Sequence, residues 1–280
     1  MRDTIRPMRV LLGVAAFLVL LAGLQLFGFP LRTKEYFAWT VANPLTAAFF
    51  GANFWGAFVI EALGARERRW AAARIAVWPV FAYTALMLVV SLAYLNQFHL
   101  GPAFALHTRA VAWGWLAIYV VVPIVMAALL VVQLREQGQD PPVVRPAPAW
   151  LLGLTGLHAL LFLVLALILL ADPTHGAKLW PWALTPLTAR ATGAWLFGFG
   201  IAAVVALLDR DLRRVRPAAW GYLTIAVLQA IALARFGNRM HWSSPSGIVY
   251  VVVLATMAVA GIAAIVGGRG TVVGATRIID

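Results

Sequence analysis

Thr185-Pro186-Leu187-Thr188-Ala189-Arg190-Ala191-Thr192-Gly193-Ala194-Trp195-Leu196-Phe197-Gly198 decides how this chain is read, because an earlier stretch repeats it at a constant offset of 142 residues. The earlier copy is Asn43-Pro44-Leu45-Thr46-Ala47, followed by Gly51, Ala52 and Gly56. Without a gap, the same offset pairs Arg68 with Arg210, Arg74 with Arg216, Trp78 with Trp220, Asn96 with Asn238 and His99 with His241. Apolar helices coincide easily at Leu and Ala, but seldom at Pro, Trp, Asn and His in one register. The pattern predicts an internal duplication.

Composition sets the solvent. A chain of 280 residues that is 63% hydrophobic and 11% charged, with a mean hydropathy of +0.88, would be insoluble as a globule and reads as a polytopic membrane protein. The formal charge of +12 does not point to nucleic acid, because Arg is confined to short segments between apolar runs. The absence of Cys excludes disulfides, thiolate nucleophiles and Cys-ligated metals.

A span needs about 20 mainly apolar residues. Eight runs qualify: 10–29, 44–63, 75–95, 110–133, 149–171, 186–208, 218–235 and 246–266. The first follows Arg2, Arg6 and Arg9 without a small-x-small cleavage site, so it is expected to stay in the membrane. Spans one to four and five to eight form the two copies, giving a first repeat over 1–136, a Pro-rich extended linker over 137–148, a second repeat over 149–267 and a disordered tail over 268–280. An even number of spans per copy predicts parallel repeats about a pseudo-two-fold axis along the membrane normal. Fifteen Lys and Arg fall on the side of the termini and six on the other, with Arg190 inside the sixth run, which places both termini in the cytoplasm of an inner-membrane protein.

The repeated motif has a structural reading. Asn43 and Thr185 suit N-caps, and Pro44 and Pro186 suit the first helical position, which lacks a partner for its N–H in any case. Ala48, Ala52 and Gly56, and Ala194, Gly198 and Ala202 in the second copy, recur every four residues as stripes that let backbones approach, with Gly51 and Gly193 in the same motif, so spans two and six are expected to pack together at the centre. Trp39, Trp180 and Trp182 just precede these helices and suit the half-wet interfacial belt. The functional reading uses the same geometry. Two helix N-termini converging on an axis, with Arg190 one turn into span six where the other copy has Ala48, would suit an anionic headgroup or carboxylate.

Asn96 and His99, and Asn238 and His241, follow spans three and seven on the side of those N-termini. Asn in a left-handed terminal turn and His near a helix C-terminus are the capping reading. The alternative is a symmetric pair of imidazoles lining a pocket, as hydrogen-bonding groups, metal ligands or general bases. With His107, His175 and Asp172 on the same face a metal is conceivable, but no HxxxH or HExxH spacing supports one, and no cofactor is indicated. His158, one turn from Thr155 inside span five, is expected to be neutral and bonded to a neighbouring helix. Glu61 is expected to pair with the Arg66 to Arg69 cluster.

No other carboxylate lies well inside a span, and no P-loop, serine elbow, zincin or Asp-rich motif appears, which disfavours coupled transport and familiar membrane enzymology. The leading expectation is a protein that binds or transports a lipophilic or amphipathic small molecule at an outward-facing site between the repeats. The alternatives are an accessory or scaffold subunit that meets a protein partner in the membrane, and an enzyme acting on a lipid-borne substrate with His99 and His241 as acid and base. Expected partners are membrane lipids and no nucleic acid.

Overall fold

In a computed structural model, described here for residues 1–269, the chain is helical, and eight helices are long and apolar enough to cross a membrane. They are α1 (Arg6–Gly23, extended by a π turn over Leu24–Gly28), α2 (Pro44–Arg66), α3 (Trp70–Ala93), α4 (Leu106–Arg135), α5 (Ala149–Ala171), α6 (Pro186–Asp209), α7 (Arg216–Phe236) and α8 (Pro245–Gly268). Each contains one of the eight apolar runs or most of it. Large aliphatic side chains such as Leu157, Leu160, Leu167, Val120 and Ile124 stand exposed around the outside, where a soluble protein would tolerate no such belt but lipid does. The tail assigned to 268–280 lies almost wholly outside the described residues.

The helix starts follow the sequence. The Asn43 side chain accepts from the Leu45 amide at 3.0 Å, and Thr185 forms a reciprocal box with Thr188, so that orphan amides at both repeated starts are satisfied. Ser244 does the same for α8 by accepting from Gly247. At the other ends, α3 and α7 tighten into short 3-10 turns over Leu95–Gln97 and Gly237–Arg239. Asn96 and Asn238 sit exposed in these turns, and neither is left-handed, because an i→i+3 turn already occupies the last carbonyls. Arg210, at φ 50°, is the one described non-glycine residue in the left-handed region; it turns the chain sharply at the end of α6.

α2 and α6 are the two most buried spans, each with 67% of its apolar window inside the bundle. Their small residues do not face each other, however. α2 packs on α1 and α7, α6 packs on α5 and α3, and α2 and α6 touch only marginally. The glycines show why. A Cβ on Gly51 would strike the Phe27 backbone, and one on Gly56 would strike Ile225 of α7. One on Gly193 would lie 3.1 Å from the Ala166 carbonyl of α5, and one on Gly198 3.4 Å from Tyr83 of α3. Each stripe therefore serves a flanking helix and leaves the space between α2 and α6 to larger side chains.

The tryptophans preceding α2 and α6 are not interfacial. Trp39, Trp180 and Trp182 are 2%, 7% and 0% exposed, because the segments carrying them fold inward and plug one end of the bundle. Trp39 packs edge-on against Phe37 and Trp115 with ring centroids 4.6 and 4.9 Å apart, and Trp182 against Tyr250 at 5.1 Å. Trp182 Nε1 donates to Thr46 Oγ1 at 2.9 Å, which ties the second plug to α2.

At the end of the bundle where α1 begins, the 137–148 linker runs extended along α3 and the α6–α7 turn. Val144 N donates to Asp211 at 2.7 Å, Leu212 N to the Arg145 carbonyl at 2.8 Å, and Ala147 N to the Arg210 carbonyl at 2.9 Å. Arg74 of α3 pairs with the fully buried Asp209 at the end of α6 and with Asp140 of the linker. Glu67, just past α2, lies in the field of Arg216; burial raises its carboxyl above the usual range, and Arg216 offsets part of that rise.

Candidate functional site

The paired His and Asn residues do not form one site. His99 is buried and fully engaged: Nδ1 meets the Phe37 carbonyl at 2.9 Å, Nε2 meets Thr40 Oγ1 at 2.9 Å, and the ring lies against Phe104 at 4.3 Å. Burial, with Lys34 nearby, holds its pKa below the ordinary imidazole value, although the Phe37 carbonyl opposes the shift. It is a clip on the first aromatic plug. The amide of His241 donates to the Pro181 carbonyl at 2.9 Å as that of His99 does to the Ala38 carbonyl, but the His241 side chain is exposed. An acid–base pair needs both groups within reach of one proton, and here one ring is spent on loop closure while the other stands on the surface. His175 bonds Asp172 at 2.6 Å on the surface and holds that carboxyl below the usual range; no cluster of three metal-ligating residues occurs among the described residues.

Arg190 is likewise occupied. Its Nε donates to the Leu170 carbonyl in the last turn of α5 at 3.0 Å, its Nη1 donates to Tyr94 Oη at 2.9 Å, and its guanidinium lies over the Tyr94 ring at 5.4 Å. It pins α6 to α5 and to the end of α3, satisfying a helix C-terminus, so its guanidinium is engaged by the protein itself.

Among the cavities that the described residues assemble, two set polar groups in an apolar wall. The larger, about 270 Å³, is bounded by α5, α6, α7 and α8 with Phe49 of α2. It begins at Trp180, Pro181, Pro245 and Ser246, on the face away from the termini, and reaches Met257, twelve residues along α8, or about 18 Å at 1.5 Å per residue. α5 and α8 touch sparsely and are tied at His158 Nε2–Thr256 Oγ1, 2.9 Å; beyond that tie Leu161 and Leu165 of α5 and Val253 of α8 border the cavity instead of each other. His158 thus has the interhelical bond expected of it. Polar groups gather on the inner wall, where Tyr250 Oη donates to Gln229 Oε1 and Gln229 Nε2 donates to Asn53 Oδ1 at 2.6 Å, joining α8, α7 and α2. At the mouth, Trp180 Nε1 is buried with no acceptor. An apolar cavity with a buried, unpartnered indole N–H among the residues of its mouth suits a molecule with an apolar body and a polar end.

The smaller cavity, about 70 Å³, lies between the two halves and is bordered by α1 to α4, α6 and α7. Glu61 borders it. Against expectation, Glu61 is 2% exposed and forms no ion pair with Arg66, Arg68 or Arg69, and its Oε2 has no hydrogen-bond partner. Arg66 is five residues on, about 140° around the helix, so it points away from the Glu61 face. Arg69 pairs with Asp3 at 2.8 Å instead. Opposite Glu61 stand Tyr83 and Tyr119, whose hydroxyls bond at 3.1 Å, Trp195 stacked on Tyr83 at 4.0 Å, and Tyr222, whose hydroxyl is buried without a partner.

Hydropathy conceals these residues, since single polar groups barely lower a 20-residue average. The offset of 142 offers a signal for them: it sets Trp115 against Met257, Tyr83 against Ile225, Tyr119 against Gly261 and Glu61 against Ala203, large or polar against small or apolar at each pair. Comparison with known proteins adds no name to this geometry, as no family model, no curated protein and no solved structure matches the chain.

Proposed function

We propose that this chain is a multi-pass protein of the cytoplasmic membrane, with both termini in the cytoplasm, that binds or transports a lipophilic or amphipathic small molecule. The observation carrying this reading is the 270 Å³ apolar cavity that opens where α5 and α8 part. A lipid-borne molecule can enter such a gap sideways from the bilayer, place its apolar body between α5 and α8, and give its polar end to Trp180 Nε1. The site therefore moves from the His99 and His241 surface to the interior of the second half.

In this reading the chain consists of two parallel four-helix repeats about an axis along the membrane normal. Several exchanges support it. α2 packs on α7 as α3 packs on α6, and Arg74 faces Asp209 as Arg216 faces Glu67, each member 142 residues from its counterpart. The two cores then differ in filling, for Trp115 occupies with Phe37, Trp39 and Phe54 the region that Met257 leaves open in the second half.

The test is native mass spectrometry of protein released from mild detergent, comparing wild type with Met257→Trp, which writes the first half's residue into the second and fills the cavity floor. A discrete lipophilic adduct on wild type that Met257→Trp loses while keeping its melting temperature is the expected result. Bare wild type, or an adduct unchanged by the substitution, would refute the reading and transfer it to a scaffold that meets a protein partner.

A further inference from the structure

We infer that the central Glu61 cavity is a binding site for a small organic cation of the ammonium class, separate from the lipophilic cavity between α5 and α8. Three observations carry it. First, Glu61 brings a carboxyl into the bundle about 7.5 Å from the end of α2, at 1.5 Å for each of the five residues to Arg66, and Oε2 is buried without a partner. A carboxyl placed so deep and left open stands ready for a positive charge that the protein itself does not supply. Among the described residues, no Lys, Arg or His borders the cavity.

Second, the remaining wall is aromatic. Tyr83 and Trp195 are stacked at 4.0 Å, Tyr119 is hydrogen-bonded to Tyr83, Phe199 adjoins Trp195 at 5.8 Å, and Tyr222 closes the side toward α7 with a free hydroxyl. Aromatic faces around a carboxylate are the chemistry that holds alkylammonium groups, each ring contributing its negative face. Third, the donor set disfavours an inorganic ion. Calcium takes six to eight oxygens and magnesium an octahedral set, whereas this cavity offers one carboxyl, three phenols and the Thr84 hydroxyl in an apolar wall. The volume, about 70 Å³, limits the occupant to a compact head such as a methylated amine.

Recognition is by charge and shape, with no bond made or broken. The ammonium carbon shell rests on Trp195 and the tyrosine rings, and Glu61 neutralises the charge away from water, where the attraction is weakly screened.

The experiment is equilibrium dialysis of radiolabelled tetramethylammonium against the full chain in lipid nanodiscs, for wild type, Glu61→Gln and Trp195→Leu. Saturable binding of one cation per chain, at least tenfold weaker in Glu61→Gln and weakened in Trp195→Leu, is the expected result. Glu61→Gln keeps the shape of the side chain and removes the group that can carry the negative charge, and an unchanged melting temperature verifies its fold; should it not fold, Trp195→Leu decides. No saturable binding by wild type, or equal affinity in the folded variants, overturns the site. Met257→Trp, in the other cavity, is expected to leave tetramethylammonium binding unchanged, so failure here is distinct from failure of the lipophilic site.

Discussion

Gly56 and Gly198 occupy the same place in the repeated motif, yet alanine at the two positions is expected to have opposite effects. At Gly56 a new Cβ would overlap Ile225 Cγ1 and lie 2.7 Å from its Cδ1, with the Gly221 carbonyl at 3.4 Å. At Gly198 the nearest atoms are Tyr83 Cβ at 3.4 Å and the Pro79 carbonyl at 3.5 Å, which is ordinary contact. Overpacking costs about 1–3 kcal/mol, and replacing a helical Gly with Ala returns up to about 1 kcal/mol. Gly56→Ala is therefore expected to destabilise by about 0–2 kcal/mol and Gly198→Ala to stabilise by up to about 1 kcal/mol. The separation of about 1–3 kcal/mol between them would be read in reversible unfolding by detergent titration, followed by tryptophan fluorescence. Ile225→Ala supplies the internal control. Alone it costs about 2–5 kcal/mol as a buried truncation. In the Gly56→Ala background it removes the overlapping atoms, so the cycle should show coupling of about 1 kcal/mol or more in the favourable direction. Gly56→Ala at least as stable as Gly198→Ala, or a cycle without coupling, would refute the claim that α2 and α7 cross in contact at this glycine.

Three further outcomes follow from polar groups. Asp209→Asn should cost about 1.5–3 kcal/mol in the same unfolding assay, because it weakens a buried charge-assisted bond from Arg74 while Asp140 still holds the guanidinium. Thr46→Val should cost about 1 kcal/mol by stranding Trp182 Nε1, with a red shift absent from the emission if the plug stays closed. The folded pKa of His99 lies below the unfolded value of about 6.5, so the unfolded chain takes up the proton first as pH falls. Stability due to His99 is thus complete above about pH 6.5 and declines below it until the folded imidazole protonates, and His99→Gln should flatten that part of the profile; an identical slope in both proteins would show that another group sets it.

Hydropathy and capping chemistry made the frame readable from residues alone. Eight runs became eight helices because a lipid-exposed backbone has no alternative to satisfying its own amides, and Asn43, Thr185 and the prolines after them mark starts for the same reason. Burial was harder to read. Trp39, Trp180 and Trp182 stand in loops beside apolar runs, which is where interfacial tryptophans also stand; only the inward fold of those loops, clipped by His99 to Phe37 and Thr40, separates the two cases. Glu61 is near Arg66 in sequence but turned from it on the helix, so counting angle instead of separation would have isolated it. The position of Arg190 in α6 points to a helix N-terminus, whereas its long side chain reaches back to a C-terminal carbonyl on α5.

The two cavities share Phe199 and Ile225 in their walls, and this constrains how each can be filled. Ile225 is 1% exposed and also touches Gly56, so its rotamer is fixed by the α2–α7 crossing before any ligand arrives. Phe199 stands between the two cavities, with Phe162 of α5 at 6.0 Å on one side and Trp195 at 5.8 Å on the other. Truncating Ile225 would join two chemically different spaces, an apolar tunnel and a carboxylate chamber, and water admitted to the tunnel would reach Glu61. Close α2–α7 contact is for this reason a requirement of the interior as much as of the bundle: it keeps the one unpaired carboxyl of the described spans in a dry, aromatic setting, where a charge on a ligand is felt at nearly full strength.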